Sequence, residues 1–137
     1  MFILLQVNLI LRKNEKELIN KYNPIKYLFV EEKTQSGSYI GKNLKIKKVT
    51  ELCLSTKINY DLVLMTRFDL MFKKKFDEFH INKNKFNFIS ILEEGESVCD
   101  NFYVFPFSFL KDFHTITCNN LSMNFHLLRK EIFKKKK

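Results

Sequence analysis

Short, almost unbroken apolar runs recur along the chain, and the first three are separated by segments of helical period. This alternation limits the fold more than any single residue does. The runs "FILLQVNLIL" (2–11), "KYLFVEE" (26–32) and "YDLVLMTRFD" (60–69) read as strands, and the continuous apolarity of the first predicts burial on both faces. Between the first two, "NEKELINKY" reads as a short helix, with Asn14 as N-cap, Glu17 three residues on and Pro24 just beyond its end. Between the second and third, a polar loop "KTQSGSYIGKN" leads into a helix over 43–56. In that helix Ile46, Val49, Leu52, Cys53 and Thr56 form one apolar stripe.

Strand, helix, strand, helix, strand is the pattern of parallel sheets with crossover helices. Two further strands, "KFNFISIL" (85–92) and "NFYVFPF" (101–107), follow one another across a short polar loop, so the later part of the sheet is expected to be mixed or antiparallel. Ser108 is placed to cap a helix through "FLKDFH", and Leu121, Phe125, Leu128 and Ile132 share one face of a last helix. The fold class is α/β. No repeat or linker divides the chain, which reads as one domain over 1–133 with a basic tail at 134–137.

Composition narrows the class of function. The chain has 137 residues, 45% hydrophobic and 28% charged, a globular profile. The opening apolar run carries Gln6 and Asn8, and it falls short of the about 20 apolar residues that a membrane helix needs. It has no flanking features of a signal peptide. The cysteines, Cys53, Cys99 and Cys118, are widely spaced and odd in number, which suits a reducing, cytoplasmic setting rather than a disulfide framework. The net charge of +9 invites a nucleic-acid reading. Nearly all of the positive charge is lysine, however, with Arg12, Arg67 and Arg129 the only arginines, and part of it is the terminal "KKKK". A solvated lysine surface accounts for it more simply.

The third run ends in a feature that a core strand does not need, Arg67 and Asp69 two residues apart. In open α/β sheets, ligands gather at the carboxyl ends of strands. On an extended chain Arg67 and Asp69 share a face with Val63 and Met65, while Leu62, Leu64, Thr66 and Phe68 take the other. A carboxylate held there suits a hard divalent cation, and an arginine beside it can grip a phosphate with two parallel hydrogen bonds. Together they suit a diphosphate leaving group. The plainer account is an ion pair at a strand end, worth about 0–1 kcal/mol.

"YDLVLMTRFDLMF" (60–72), followed by "VCDNFYVFP" (98–106), resembles a family of glycosyltransferases of the GT-A type found in bacterial polysaccharide clusters and giant viruses. "LINKYNPIKYLFVEE" (18–32) is similar to that family's helix, Tyr-Asn-Pro, strand segment. The resemblance covers roughly residues 15 to 110. It implies a GT-A-like, Rossmann-like mixed sheet, partial because little precedes the segment that matches the second strand. It also implies a nucleotide-sugar donor, a glycan acceptor and a cation, manganese or magnesium, held by Asp69. Arg67 and Asp69 would bind substrate and Asp100 would act near the donor or acceptor sugar; Asn101 and Tyr103, next to Asp100, are further candidates for substrate binding. Arg67 stands where the family's Asp-x-Asp motif has its first acid, so the motif offers one carboxylate rather than two.

The remaining candidates carry plainer readings beside the functional ones. Glu94, in the acidic cluster Glu93, Glu94 and Glu96, is a candidate general base for an acceptor hydroxyl, or part of a solvated loop. Phe102, Tyr103 and Phe105 are either a sugar-stacking platform or core. His114 and His126 lie on predicted helices without ligand spacing, and His80 lies in a lysine-rich loop. Two alternatives remain open beside the transferase. One is a non-catalytic, truncated remnant that self-associates or works with a partner chain; the other is a basic nucleic-acid-binding module.

Overall fold

The computed structural model describes residues 3–6, 15–29, 39–66, 73, 75–88, 102–124, 127 and 132. Strand β1 (Ile3–Gln6), helix α1 (Glu15–Tyr22) and strand β2 (Lys26–Phe29) form a strand–helix–strand unit. The two strands pair in parallel, Ile3 opposite Lys26 and Gln6 opposite Phe29, which is why a helical crossover must join them. Glu15 and Glu17 in the first turn of α1 and Lys21 in the last complement its dipole. Its end is abrupt. Asn23 turns into the left-handed region at φ 41° and its N–H donates to the Ile19 carbonyl at 2.8 Å, with Pro24 next.

Helix α2 (Tyr39–Leu54) starts four residues before the expected Asn43 and takes in part of the polar loop. Gly41 and Asn43 are buried within it. Packing against the chain at 120–123 overrides the local loop signal of glycine, because Asn43 donates to the backbone carbonyls of that turn. The buried side of α2 is also rotated from the expected stripe. Asn43, Ile46 and Thr50 are its most buried side chains, whereas Val49, Leu52, Cys53 and Thr56 are half-buried. At its C-terminal end Lys26 of β2 donates through Nζ to the Ser55 carbonyl at 3.3 Å and to Ser55 Oγ at 3.1 Å, a cation at the negative pole of the helix.

Strands β3 (Leu62–Thr66), β4 (Asn87–Phe88) and β5 (Phe102–Pro106) make a second sheet in the order β3-β5-β4, antiparallel throughout. The expectation of one parallel sheet running from β1 into β3 is corrected here. Among the described residues β3 bonds to β5 and not to the β1–β2 pair. The antiparallel β4–β5 pairing is as the short connection required. The chain is a mixed α/β protein.

After β5 a 3₁₀ turn (Phe107–Phe109) leads into helix α3 (Leu110–Asn119). Ser108 lies inside that turn, and the N-cap position is Phe109 without a side-chain cap, so the expected serine cap is not formed. Leu121 falls in the turn after α3 rather than on the last helix face, while Ile132 is buried as expected; Phe125 and Leu128 lie outside the described residues. Helix α3 packs against α2. The core gathers Ile46, Phe86, Tyr103, Phe105, Leu110, Phe113, Ile116 and Ile132. Phe86 stacks on Phe105 at 4.6 Å and 6°, and Phe113 tilts against both. Each such ring contributes about 1.5–3 kcal/mol by leaving water. Among the described residues no helix is long and apolar enough to cross a membrane.

Candidate functional site

Strand β3 is held at both ends. At its start, the Phe107 N–H donates to the Asp61 carbonyl at 3.2 Å and the Tyr60 ring meets Phe107 edge-on at 5.3 Å. At its finish, Thr66 stands opposite Phe102, the first residue of β5. Along the strand, Val63 and Met65 pair with Phe105 and Tyr103 and pack against the core, as the alternation predicts. Leu64 is on the other face and 39% exposed.

This register fixes where the candidate segments leave the sheet. Thr66 and Phe102 are cross-strand partners; residue 67 follows the first directly in the chain and residue 101 directly precedes the second. Strand β4 also runs antiparallel to β5, with Phe88 opposite Tyr103, so its carboxyl end points the same way as that of β3. The segment carrying Arg67 and Asp69 and the segment carrying Glu94, Asp100 and Asn101 therefore join the sheet at one end. That end combines the carboxyl ends of β3 and β4 with the amino end of β5. Arg67, Asp69, Glu94, Asp100 and Asn101 themselves lie outside the described residues.

Tyr103 is described, and it corrects the expectation of a sugar platform. It is 3% exposed, with its ring against Phe86 at 5.6 Å, Phe105 at 6.2 Å and Phe113 at 5.9 Å. No ring face is open to a ligand. Phe102 and Phe105 are likewise core, at 5% and 0% exposure. The cause is position: β5 is the middle strand, covered on both faces, so its aromatics have no route to solvent.

One segment at this end carried no signal that we recognised in the sequence. Phe79 packs on Phe102 at 5.6 Å and brings the 3₁₀ turn Phe76–Glu78 to the same end of the sheet. Exposed Asp77, Glu78 and His80 and the 47%-exposed Phe76 come with it. The Phe76 to Phe79 spacing of three residues, one turn of a 3₁₀ helix, is the pattern that would have shown it. Next to it, Asn87 staples the preceding loop to β5. Its Oδ1 accepts from the Asn82 N–H at 2.9 Å, and its Nδ2 donates to the carbonyls of Asn82, Lys85 and Val104. Among the described residues no three His, Cys, Asp or Glu side chains group closely enough to hold a metal ion.

No family model matches the chain, and no curated protein and no solved structure matches it.

Proposed function

We propose that the chain is a glycosyltransferase-like protein that binds a nucleotide-sugar donor and a glycan acceptor at the joint end of β3, β4 and β5. The observation that supports it is the pairing of Thr66 with Phe102, which joins the Arg67–Asp69 and Asp100–Asn101 segments to the sheet side by side. In this reading the parallel β1–β2 pair and the antiparallel second sheet are parts of a GT-A-like, Rossmann-like arrangement, and the donor diphosphate meets the strand ends. Arg67 supplies a planar fork for two phosphate oxygens. Asp100 or Glu94 takes the proton of the acceptor hydroxyl as its oxygen bonds to the sugar's anomeric carbon. The sugar–diphosphate bond breaks in the same reaction. A divalent cation, manganese or magnesium, held by Asp69, would neutralise charge on the departing diphosphate.

Isothermal titration of the intact chain with a nucleoside diphosphate, with and without manganese, tests this reading. Binding should need manganese and weaken at least about tenfold in Asp69→Asn, the loss of roughly one charge-assisted contact. Equal affinity in the variant, or no binding by the folded protein in either condition, would rule the reading out.

A further inference from the structure

One face of the second sheet carries apolar side chains that the core does not take up. Tyr103 and Phe105 of β5 fill the core, so Phe102 and Val104 turn to the opposite face with their cross-strand partners Thr66 and Leu64. Phe79 covers Phe102 on that face, and the Phe76 ring lies 6.5 Å from Phe79. Leu64 is 39% and Phe76 47% exposed. Phe76 is presented by a closed turn, not by a loose loop. The Glu78 N–H donates to the Lys75 carbonyl at 3.1 Å and the Phe79 N–H to the Phe76 carbonyl at 3.2 Å. A ring fixed in this way meets a ligand without first having to be ordered. Positive charge accompanies it. Lys73, Lys75, Lys83 and Lys85 are exposed and outnumber Asp77 and Glu78, and among the described residues none of these lysines is held in an ion pair. Asn87 keeps the turn that bears Lys83 and Lys85 against β5, donating to the Lys85 carbonyl at 2.7 Å and the Val104 carbonyl at 3.2 Å.

We propose that the acceptor of the transfer is an anionic glycan, one of whose sugar rings lies on Phe76 while Lys73 and Lys75, beside it in the chain, meet its carboxylate, sulfate or phosphate groups. The proposal rests on the transferase reading above, which places the donor at the same end of the sheet. The weakly positive C–H bonds of a sugar ring suit the negative face of a phenyl ring. Lysine ammonium groups add charge-assisted hydrogen bonds to the acid groups, and Lys83 and Lys85 raise the local positive potential that draws such a chain in. Among the described residues Phe76 is the exposed phenylalanine. One ring fits one sugar, whereas single-stranded nucleic acid is gripped by several aromatics on which successive bases stack.

The test titrates the full chain calorimetrically, without donor or manganese, with oligomers of galacturonate, hyaluronan and heparin. Fully methyl-esterified oligogalacturonate, a neutral maltooligosaccharide and single-stranded oligothymidylate are the comparisons. At least one acidic glycan should bind at least about tenfold more tightly than the neutral ones, and less tightly as salt rises. Phe76→Ala should weaken that binding at least about fivefold, and Phe76→Trp should keep it. Changing both lysines, Lys73→Gln with Lys75→Gln, should weaken it at least about threefold. Three results would each overturn the proposal: no acidic glycan bound better than the neutral ones, a folded Phe76→Ala chain with the original affinity, or oligothymidylate bound as tightly as the best glycan and equally dependent on Phe76. Donor binding is read separately. A chain that binds an acidic glycan through Phe76 but no nucleoside diphosphate upholds the glycan surface and removes the transferase; the reverse result keeps the transferase and overturns the acidic acceptor.

Discussion

Asn43 shows how much one polar side chain can hold. It is 1% exposed, and its Nδ2 donates at 2.9 Å to the Leu121 carbonyl and at 2.8 Å to the Met123 carbonyl, with the Asn120 carbonyl at 3.3 Å. Its two N–H bonds tie the turn after α3 to α2. Asn43→Ala leaves half-buried carbonyls without their donor and should cost about 1–3 kcal/mol in urea unfolding. Asn43→Asp should cost more, because a carboxylate has nothing to donate and faces oxygens. An alanine variant within about 0.5 kcal/mol of the natural protein would contradict this, that being the range of ordinary surface changes. Cys53 gives a pH signature. Burial raises its thiol in the folded state, so the folded chain holds that proton more tightly than the unfolded one. This contribution is fully present below about pH 8.5, the ordinary thiol value, and is lost as pH rises through the raised value. Unfolding midpoints measured from pH 8 to 10 should fall less steeply in Cys53→Ala than in the natural chain.

Helix ends carry the backbone strain. After α2, Lys57 adopts φ 56° and its N–H reaches the Leu54 carbonyl at 3.4 Å. A lysine there bears about 1 kcal/mol of steric cost that glycine does not. Lys57→Gly should therefore match or exceed the natural stability in denaturant unfolding, and Lys57→Val should lose about 1 kcal/mol or more, its branched Cβ fitting that region worst. A glycine variant clearly less stable than the valine variant would refute the assignment. The elements also show what a sequence discloses. The end of α1 was legible because Pro24 marks it locally, and the faces of β3 were legible because Val63 and Met65 alternate with Leu62 and Leu64. The start of α2 was not. Gly41 and Asn43 look like loop residues until Asn43 bonds the turn at 120–123, and that partner lies about 80 residues away. Ser108 misled in the same way: it is a good local cap, but the direct passage from β5 into a 3₁₀ turn places it one residue too early.

For the whole molecule, the point that matters is where chain segments meet. Alternating periods disclosed a mixed α/β chain, and the antiparallel β4–β5 pair could be read from a short connection. The pairing of β3 with β5 rather than with β1 could not, because cross-strand partners such as Thr66 and Phe102 share no local signal. For the same reason the sequence leaves Tyr103 open between a sugar-stacking platform and core: only the sheet order, with β5 in the middle, decides for core. Phe105→Ala, at the centre of that core, should cost about 3–5 kcal/mol by chemical denaturation, and a loss below about 1 kcal/mol would show that the ring cluster is not the core. The sequence marks Arg67 and Asp69 as a candidate pair, and both lie outside the described residues; that their segment and the one carrying Asp100 join the sheet at one end came only from the register. The most direct test of this account is a thermal-shift panel of nucleotide sugars, each with and without manganese, on the natural chain and on Asp69→Asn. The account predicts stabilisation by at least one donor that requires both manganese and Asp69. A cooperative unfolding transition that no donor moves, or one that moves equally in Asp69→Asn, would contradict it.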